Sequence, residues 1–386
     1  METLQHIRKW RWSLALLVAL GMMLIMQPLT ARAETITVTS TLDDGTGSLR
    51  AAIAAANPGD TIVFSSDMSI YLVSELSINK TLTIDGGSYA VKVSGDTDND
   101  GTRNVRVFTI GESGVVALNH LNIVGAYGVA GGGIVNYGAL TVQHSTLSNN
   151  GADRGGGICN YGAVTVQHST LSSNWSNYGG GIWNNGTLTV LHSTLSGNGA
   201  SYGGGIFSSD TVTVLHSTLS GNGAAEEGGG LWNSGTLNFA NTLIANSNGG
   251  DCYQGGTLGS NTHNLVEDGT CSPALSGDPL LGPLADNGGD TLTHALLVGS
   301  QAIDYVPTTD PTCIAGVSID QRGAVRADGV DRGGNACDIG AYEYSSIQTP
   351  TVILLRGLAA RGFAPLLAGL LALGGAAAVK RKRRWQ

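Results

Sequence analysis

A repeat of 24 residues in the middle of the chain constrains the fold more than any other feature. Each copy combines a glycine triplet with an alternating apolar run such as Leu140-Thr141-Val142, and alternation with period two predicts β-strands. Three short strands fit into one repeat, and no segment of it is long enough for a helix. The sequence therefore predicts a parallel β-helix whose coils stack about 4.8 Å apart. The copies begin at Gly131, Gly155, Gly179, Gly203 and, more loosely, Gly228.

Equivalent residues of successive coils are expected to lie above one another and to form ladders. Isoleucine and leucine recur at apolar positions. Asparagine recurs at a bend, where it tolerates a left-handed backbone and its amide can hydrogen-bond along the stack. The asparagine ladder comprises Asn150, Asn174, Asn198 and Asn222.

A histidine ladder raises the question of a functional site. His120 precedes it by one period, and Asn241 takes the position that follows it. A position that accepts asparagine as well as histidine indicates a hydrogen-bonding bend. Metal capture by adjacent imidazoles is the alternative, but no carboxylate or cysteine recurs beside them in the repeat to complete a metal site. The ladder comprises His144, His168, His192 and His216.

Both ends of the sequence predict export. Basic residues, an apolar run and an Ala-Arg-Ala site indicate a signal peptide over 1–33. Residues 362–379 are uncharged and would rise about 27 Å as a helix, enough to span a membrane. The basic tail 380–386 should stay cytoplasmic, so we expect a cell-surface protein with the bulk of its chain outside.

Between these ends the sequence predicts four segments. We expect a strand and a capping helix over 34–60, the β-helix over 61–250, a C-terminal cap over 251–346 and a linker over 347–361. The helix would cover the first coil, whose open edge could otherwise pair with other chains. A net charge of -9 without an internal basic tract gives no electrostatic reason to expect nucleic acid as a partner.

Cysteine usage agrees with export, because disulfides form and persist outside the cytoplasm. Cys159 replaces a packing residue of the repeat and is expected to be an unpaired thiol. Four further cysteines flank two loops of the C-terminal cap, and their pairing stays open among three arrangements. They are Cys252, Cys271, Cys313 and Cys337.

An acidic segment, Asp96-Thr97-Asp98-Asn99-Asp100-Gly101, matches the first half of a calcium-binding loop. Alternating carboxylates ahead of a turn glycine suit a cation that prefers oxygen ligands. Val107 stands where such a loop needs a bidentate glutamate. A structural calcium ion at Asp96, Asp98 and Asp100 and a solvated acidic turn both stay open, and no other cofactor is expected.

Parts of the chain resemble known families. Residues 35–64 resemble the opening of bacterial surface proteins with a CSLREAI-type motif, with Gly47 in place of the motif's cysteine. The glycine-rich repeats resemble those of polymorphic outer-membrane proteins. Residues 278–304, 318–326 and 337–344 resemble the end of the choice-of-anchor Q family. The resemblance implies an all-β, right-handed parallel β-helix on a bacterial surface, and it transfers no activity.

Aromatic residues among asparagine and serine predict a ligand-binding face on the solenoid. Stacking of these rings between coils is the alternative interpretation. The predicted function is adhesin-like binding of a glycan or protein by a membrane-anchored surface protein, and a passive stalk or coat protein is the alternative. The aromatic residues are Tyr137, Tyr161, Trp175, Tyr178 and Tyr202.

A polysaccharide lyase or glycoside hydrolase of pectate-lyase-like fold is the second alternative. Such enzymes need paired carboxylates, or a cation clamp with a base, on the middle coils. Between Gly155 and Ala225, Asp210 is the one residue that carries a permanent charge. The sequence therefore predicts that the protein is not an enzyme, and it offers no catalytic residues.

Overall fold

Parallel strands wound into a solenoid dominate the structure, a computed structural model that describes residues 32–314, 316–327 and 336–345. The described residues up to Tyr344 belong to one compact unit, and Ser345 belongs to a second. Apart from its last two residues, the predicted signal peptide lies outside the described residues, as do the linker and the predicted membrane helix over 362–379. No helix in the described part of the chain is long and apolar enough to cross a bilayer.

Three parallel sheets form the walls of the solenoid, and each complete coil contributes one strand to each wall. The predicted right-handed parallel β-helix is confirmed. The ten strands of sheet A are Thr35–Val38, Thr61–Phe64, Thr81–Asp85, Val115–Asn119, Ala139–Gln143, Ala163–Gln167, Thr187–Leu191, Val212–Leu215, Thr236–Ala240 and Thr257–Thr262. The nine of sheet B are Met68–Tyr71, Val91–Ser94, Leu121–Val124, Thr146–Ser148, Thr170–Ser172, Thr194–Ser196, Thr218–Ser220, Leu243–Ala245 and Leu265–Val266. The eight of sheet C are Leu76–Ile78, Phe108–Ile110, Ile134–Asn136, Ile158–Asn160, Ile182–Asn184, Ile206–Ser208, Leu231–Asn233 and Cys252–Gln254.

Short strands pair outside the three walls. Two parallel pairs lie at the turns that lead from sheet B to sheet C, namely Tyr127–Ala130 with Gly151–Arg154 and Gly199–Tyr202 with Gly223–Glu227. Two antiparallel pairs follow the last coil, namely Leu281–Ala285 with Thr293–Leu296 and Val306–Pro307 with Ala336–Cys337.

Helix α1, Leu49–Ala55, is the predicted capping helix. Ser48 is its N-cap residue, and the side chain accepts a hydrogen bond from the first turn at 3.1 Å. At the other end, Lys80 Nζ donates to the carbonyl oxygens of Ile53 at 2.8 Å and Ala56 at 2.6 Å. A cation on the last carbonyl groups complements the helix dipole, so both ends of this short helix are satisfied.

Apolar ladders fill the interior of the solenoid. Ile134 pairs in register with Ile158, and Ile158 with Ile182, so that identical side chains stack in successive coils. These residues are fully buried, as are Leu147 and Leu171 in sheet B. Burial of each such side chain contributes about 2 kcal/mol, and the repeat multiplies that contribution along the axis.

The glycine triplets fit close approaches of backbone between coils. Gly155 adopts φ 64°, a left-handed conformation that costs glycine nothing. A Cβ atom on Gly156 would lie 2.5 Å from the carbonyl oxygen of Trp175 in the next coil. The triplet is therefore architectural, as the repetition of the motif indicates.

The β-helix continues past residue 250, where the sequence analysis placed its end. Cys252–Gln254, Thr257–Thr262 and Leu265–Val266 add a further strand to each wall. The spacing shortens in this coil, because Leu231 pairs with Cys252 and Leu243 pairs with Leu265. The loss of the 24-residue period hid this coil from the sequence analysis.

Beyond this coil, the described residues of 278–344 form a segment that we call the C-terminal arm. It folds back along the outer surface of sheet B. Thr170 Oγ1 donates to the carbonyl oxygen of Leu292 at 2.6 Å, and Ser196 Oγ lies 2.9 Å from His294 Nε2. The arm therefore covers the later coils of sheet B and leaves the earlier coils open.

Two disulfides join Cys252 to Cys271 and Cys313 to Cys337, and Cys159 is a buried free thiol. The predicted disulfides are confirmed, and each bond closes one loop. The first closes a loop with a sequence separation of 19 residues between the last coil and the chain that follows it. The second ties together two parts of the C-terminal arm.

Replacing Cys252 and Cys271 together with serine is expected to lower the free energy of unfolding by about 3 kcal/mol, because the cross-link restricts the unfolded chain. Urea denaturation followed by circular dichroism measures this change. Cys159→Ala removes a cysteine that takes part in neither bond and is the control. An unchanged urea midpoint in the double variant would contradict the expectation.

Candidate functional site

A cleft of about 530 Å³ opens on the outer surface of sheet B, beside the hairpin turn of the C-terminal arm. Neighbouring strands form its floor with Lys92, Asn122 and Thr146, which pair in register across three coils. Its polar lining includes an ammonium group, two imidazoles, a carboxylate, an amide and hydroxyl groups. The polar lining residues are Ser69, Ser88, Tyr89, Lys92, His120, Asn122, His144, Thr146 and Asp290.

Two histidines of the cleft stand at the turns between sheets A and B. His120 follows strand Val115–Asn119 with φ 52°, and His144 follows strand Ala139–Gln143 with φ 47°. This left-handed turn recurs in each coil, so the two rings stack with centroids 5.1 Å apart and an interplanar angle of 7°. The repeat thus presents two parallel imidazoles to the cleft.

Two carboxylates from distant parts of the sequence reach this imidazole pair. Asp85 Oδ1 lies 2.9 Å from His120 Nδ1. Asp290, on the hairpin of the C-terminal arm, places Oδ2 2.9 Å from His144 Nδ1 and 3.8 Å from His120 Nε2. A carboxylate at Nδ1 favours the tautomer that carries its proton there, which leaves a lone pair on Nε2 of His120.

The contact between His144 and Asp290 is close, but it is not a directed hydrogen bond. Nδ1 of His144 is buried and has no hydrogen-bond partner among the described residues, although Asp290 Oδ2 is 2.9 Å away. Burial lowers the pKa of His144, Asp290 opposes this shift, and His120 adds to it. The imidazole is therefore held mainly in its neutral form near pH 7.

Farther along the column, the C-terminal arm covers the histidines. Burial lowers the pKa of His168 and His192, and lowers the pKa of His216 to about 3. The rings still stack, with centroids of His192 and His216 5.0 Å apart. His216 Nε2 lies 2.8 Å from Thr312 Oγ1 of the arm. These neutral, covered imidazoles stack without charge repulsion and support the arm.

No carboxylate recurs beside the histidines in the repeat, but two single carboxylates stand beside His120 and His144. Asp85 belongs to a coil that precedes the regular repeats, and Asp290 belongs to the arm. Neither carboxylate recurs with the repeat, so the periodic pattern could not reveal it. Lys92 was missed for the same reason.

The asparagine ladder is buried at the turn that follows sheet B. Nδ2 of Asn150 donates to Oδ1 of Asn174 at 3.0 Å, and Nδ2 of Asn174 donates to Oδ1 of Asn198 at 3.0 Å. Asn198 continues the chain to Asn222 at 2.9 Å. These side chains bond to one another and to the backbone, and they lie apart from the cleft.

The aromatic residues separate into two groups on different corners of the solenoid. Tyr137 and Tyr161 follow strands of sheet C and stack with centroids 5.1 Å apart. Trp175, Tyr178 and Tyr202 follow sheet B, at the turns toward sheet C, and the exposed fractions are 42% for Trp175 and 39% for Tyr178. Sheet C connects the two groups, because its paired residues Trp183 and Phe207 contact Tyr161 at 5.1 Å and Tyr178 at 5.4 Å between ring centroids.

The second aromatic group includes a residue that the sequence analysis missed. Tyr127 precedes the regular repeats, and its ring centroid lies 6.1 Å from that of Trp175. Arg103 lies over the same indole at 5.9 Å. We call Tyr127, Trp175, Tyr178 and Tyr202 the aromatic surface.

The acidic segment forms a turn closed by its own first carboxylate. Asp96 accepts hydrogen bonds from the backbone of Asp100 at 3.1 Å and of Gly101 at 3.0 Å. One ligand atom from each of Asp96, Asp98 and Asp100 lies within 4.8 Å of the others. Hydrogen bonds from Thr102 lower the pKa of Asp100. Calcium binding at this turn stays a prediction.

Comparisons with known proteins give structural likeness without a family. No family model matches the chain, and no curated protein matches it. The chain is similar to Jun a 1, the major allergen of cedar pollen, at 15% identity and a TM-score of 0.45, over 66% of this chain and 83% of that one. It is also similar to pectate lyase Pel9A at 12% identity and a TM-score of 0.43, over 82% of this chain and 97% of that one.

The expectation that the protein is not an enzyme is corrected. It assumed that the charged groups of a polysaccharide-cleaving site must stand on the middle coils. Instead, Lys92 and Asp290 line one cleft with His120 and His144, and Asp85 contacts His120. The resemblance to the choice-of-anchor Q family stays a prediction. The architecture that the chain has in common with these structures is the right-handed parallel β-helix.

Proposed function

We propose that the protein is an exported enzyme that cleaves a uronate-containing polysaccharide by β-elimination in the cleft on sheet B. The observation that carries this proposal is the hydrogen-bonded pair of Asp85 and His120 in a cleft that also contains Lys92. The floor of the cleft crosses three coils, so it suits an extended chain of sugars. Its amide and hydroxyl groups suit the hydroxyl groups of sugar rings.

Elimination needs a base and a positive group. A base removes the proton next to the sugar carboxyl group, the glycosidic C–O bond breaks, and the freed oxygen takes a proton. His120 suits the role of base because Asp85 holds the proton of Nδ1 and leaves Nε2 to accept another. Lys92 suits the role of the positive group that binds the carboxylate and stabilises the charge that develops on it.

Hydrolysis suits this cleft less well. A glycoside hydrolase needs one carboxylic acid and one carboxylate that face the substrate about 5–10 Å apart. Here Asp85 is bonded to His120, and Asp290 lies against His144. Asp290 lines the cleft and Asp85 does not, so the cleft presents one carboxylate where hydrolysis needs two.

The proposal keeps the predicted location outside the cell. The two disulfides support it, because such bonds persist in oxidising compartments. The signal peptide over 1–33 and the membrane helix over 362–379 remain part of the proposal, since most of the first and all of the second lie outside the described residues. Its partners would then be a polysaccharide and the membrane.

Incubation with polygalacturonate, alginate and a neutral glucan tests the proposal. We expect new chain ends, together with an unsaturated uronate product that absorbs ultraviolet light, from an acidic polysaccharide only. His120→Asn should lower kcat/KM by about 1000-fold, since it removes the base. Asparagine suits this left-handed turn, because Asn241 takes the equivalent position with φ 53°.

His168→Asn makes the same change one coil farther along and outside the cleft, so it is the matched control. Its kcat/KM should stay within about twofold of the parent value, since the surface of the cleft is unchanged. Full activity of His120→Asn would exclude His120 as the base. New chain ends without an unsaturated product would replace elimination with hydrolysis.

Binding without cleavage is the second candidate function, and the aromatic surface favours it. Exposed aromatic rings bind sugar faces, and Trp175 and Tyr178 are both exposed. Retention of the protein on an immobilised glycan should fall by about tenfold or more in a Trp175→Ala variant. The variant loses an aromatic ring that the bound sugar would bury. If this variant loses retention while cleavage in the cleft persists, the two surfaces act separately.

A further inference from the structure

We propose that His120, His144 and Asp290 bind one divalent transition-metal ion such as Zn²⁺ or Co²⁺. These residues provide two imidazole nitrogens and one carboxylate oxygen, a donor set that suits ions of the first transition series. Calcium is disfavoured at this place because it prefers oxygen ligands. The ion would lie at the wall of the cleft, between the stacked imidazoles and the hairpin of the C-terminal arm.

The separations of the ligand atoms fit a single ion. Metal bonds to nitrogen and oxygen are about 2.1 Å long, so one ion can join two atoms up to about 4.2 Å apart. Asp290 Oδ2 is 2.9 Å from His144 Nδ1 and 3.8 Å from His120 Nε2, both below that limit. Ligand atoms of all three residues lie within 4.8 Å of one another, so a small side-chain movement completes the site.

Nδ1 is buried without a hydrogen-bond partner among the described residues at His144 and at the three ladder histidines that follow it, so this feature belongs to the repeat. His144 differs from them in having the carboxylate of Asp290 at 2.9 Å, and one coordinated ion would satisfy both groups. A second carboxylate supports a metal rather than an ordinary ion pair. Asp85 accepts from His120 at 2.9 Å, which is the carboxylate–histidine contact that orients metal-binding imidazoles and strengthens their donation.

The ligands follow two paired strands of sheet A and lie in the turn of the hairpin. The two histidines stand on adjacent coils whose strands pair in register. Asp290 is fixed because the residues that follow it bond to the solenoid. Thr291 Oγ1 donates to the carbonyl oxygen of His168 at 3.2 Å, and the carbonyl oxygen of Leu292 accepts from Thr170 at 2.6 Å. A ligand set held by rigid elements needs little reorganisation to bind an ion.

The ion and the proposed base compete for one atom. A metal bound to Nε2 of His120 takes the lone pair that would accept the substrate proton. Saturating Zn²⁺ is therefore expected to suppress cleavage by at least tenfold. This consequence rests on the proposed function, whereas ion binding itself does not.

Titration of the chelator-treated full-length chain with Co²⁺ tests the site directly, because coordinated Co²⁺ absorbs visible light. We expect one Co²⁺ ion per chain, and this ion should stay bound in excess Ca²⁺. Calcium would instead bind the acidic turn at Asp96. Asp290→Asn and His144→Asn should each weaken binding at least tenfold. Asp85→Asn should weaken it about tenfold, as loss of an orienting carboxylate does.

Asp286→Asn is the matched control, since Asp286 lies on the same hairpin and the same charge is removed. It should change the affinity by less than twofold. Equal weakening by Asp286→Asn and Asp290→Asn, or no saturable Co²⁺ band, would overturn the site. One ion per chain that raises cleavage would uphold the metal site and overturn His120 as the base. An ion that binds as expected to a chain without cleavage would overturn the proposed function alone.

Discussion

Replacement of Asn174 with alanine is expected to lower the free energy of unfolding by about 4–5 kcal/mol, because it leaves several buried polar groups without partners. Oδ1 of Asn174 accepts from both the backbone N–H and the Nδ2 of Asn150, each at 3.0 Å. Nδ2 donates to the carbonyl oxygen of Leu147 at 2.9 Å and to Asn198 at 3.0 Å. Alanine removes all four interactions at once.

The effect should extend beyond one coil. Each coil of a solenoid is stabilised by its two neighbours, so a break in the ladder weakens the stack on both sides. Urea denaturation measures the loss, and Asn177→Ala is the control, because Asn177 is an exposed asparagine of the same coil. That variant should stay within about 0.5 kcal/mol of the parent. A change below about 1 kcal/mol in Asn174→Ala would show that buried water replaces the amide.

The fold could be predicted from the sequence because each coil of the solenoid repeats the same strand pattern and the same packing. Ile134 and Ile158 stack for the same physical reason as every later pair, so one interpreted coil predicts the others. The capping helix could also be predicted, since the apolar residues of Leu49–Ala55 follow Ser48, a residue that favours the start of a helix. The coil that contains Cys252 was missed because its spacing departs from the period.

The candidate site could be predicted only in part, because it is assembled where periodicity fails. His120 and His144 were visible as members of a ladder, but ladder membership indicated a bend rather than a site. Their partners Asp85 and Asp290 come from an irregular coil and from the C-terminal arm. No spacing in the sequence predicts that the arm folds back along sheet B and places its hairpin turn beside His144.

The C-terminal arm has a buried cationic centre. Arg326 has no exposed surface and donates to the carbonyl oxygens of Ile319 at 3.1 Å and Gly340 at 2.8 Å. Its Nη1 also lies 3.3 Å from Oε2 of Glu343. Arg326 and Glu343 therefore hold separate parts of the arm together, including the part that follows the second disulfide.

Replacement of Arg326 with methionine is expected to lower the free energy of unfolding by about 4 kcal/mol at pH 8, because it leaves a buried carboxylate without its cation. Burial already raises the pKa of Glu343 to about 7, against the opposing effect of Arg326. Burial and the charge of Glu343 raise the pKa of Asp338 to about 8. Loss of the arginine removes the attraction that keeps these values from rising further.

The cost of Arg326→Met should therefore depend on pH. Groups whose folded-state pKa is raised above the unfolded value of about 4 contribute their full stability below about pH 4. That contribution is lost as the pH rises through about 7 and 8, the folded-state pKa values of Glu343 and Asp338. At pH 5 both carboxyl groups of the variant can stay protonated, so the destabilisation should be clearly smaller than at pH 8.

Urea denaturation at pH 5 and pH 8 compares the two conditions. Arg154→Met removes an exposed arginine that lies over the ring of Trp183 at 5.6 Å, and its smaller effect should be the same at both pH values. Equal destabilisation by Arg326→Met at both pH values would assign the loss to broken hydrogen bonds rather than to buried charge. The same arm carries Asp290, so Arg326→Met should also lose affinity for Co²⁺ at pH 8. Such a loss would link the stability of the arm to the geometry of the cleft.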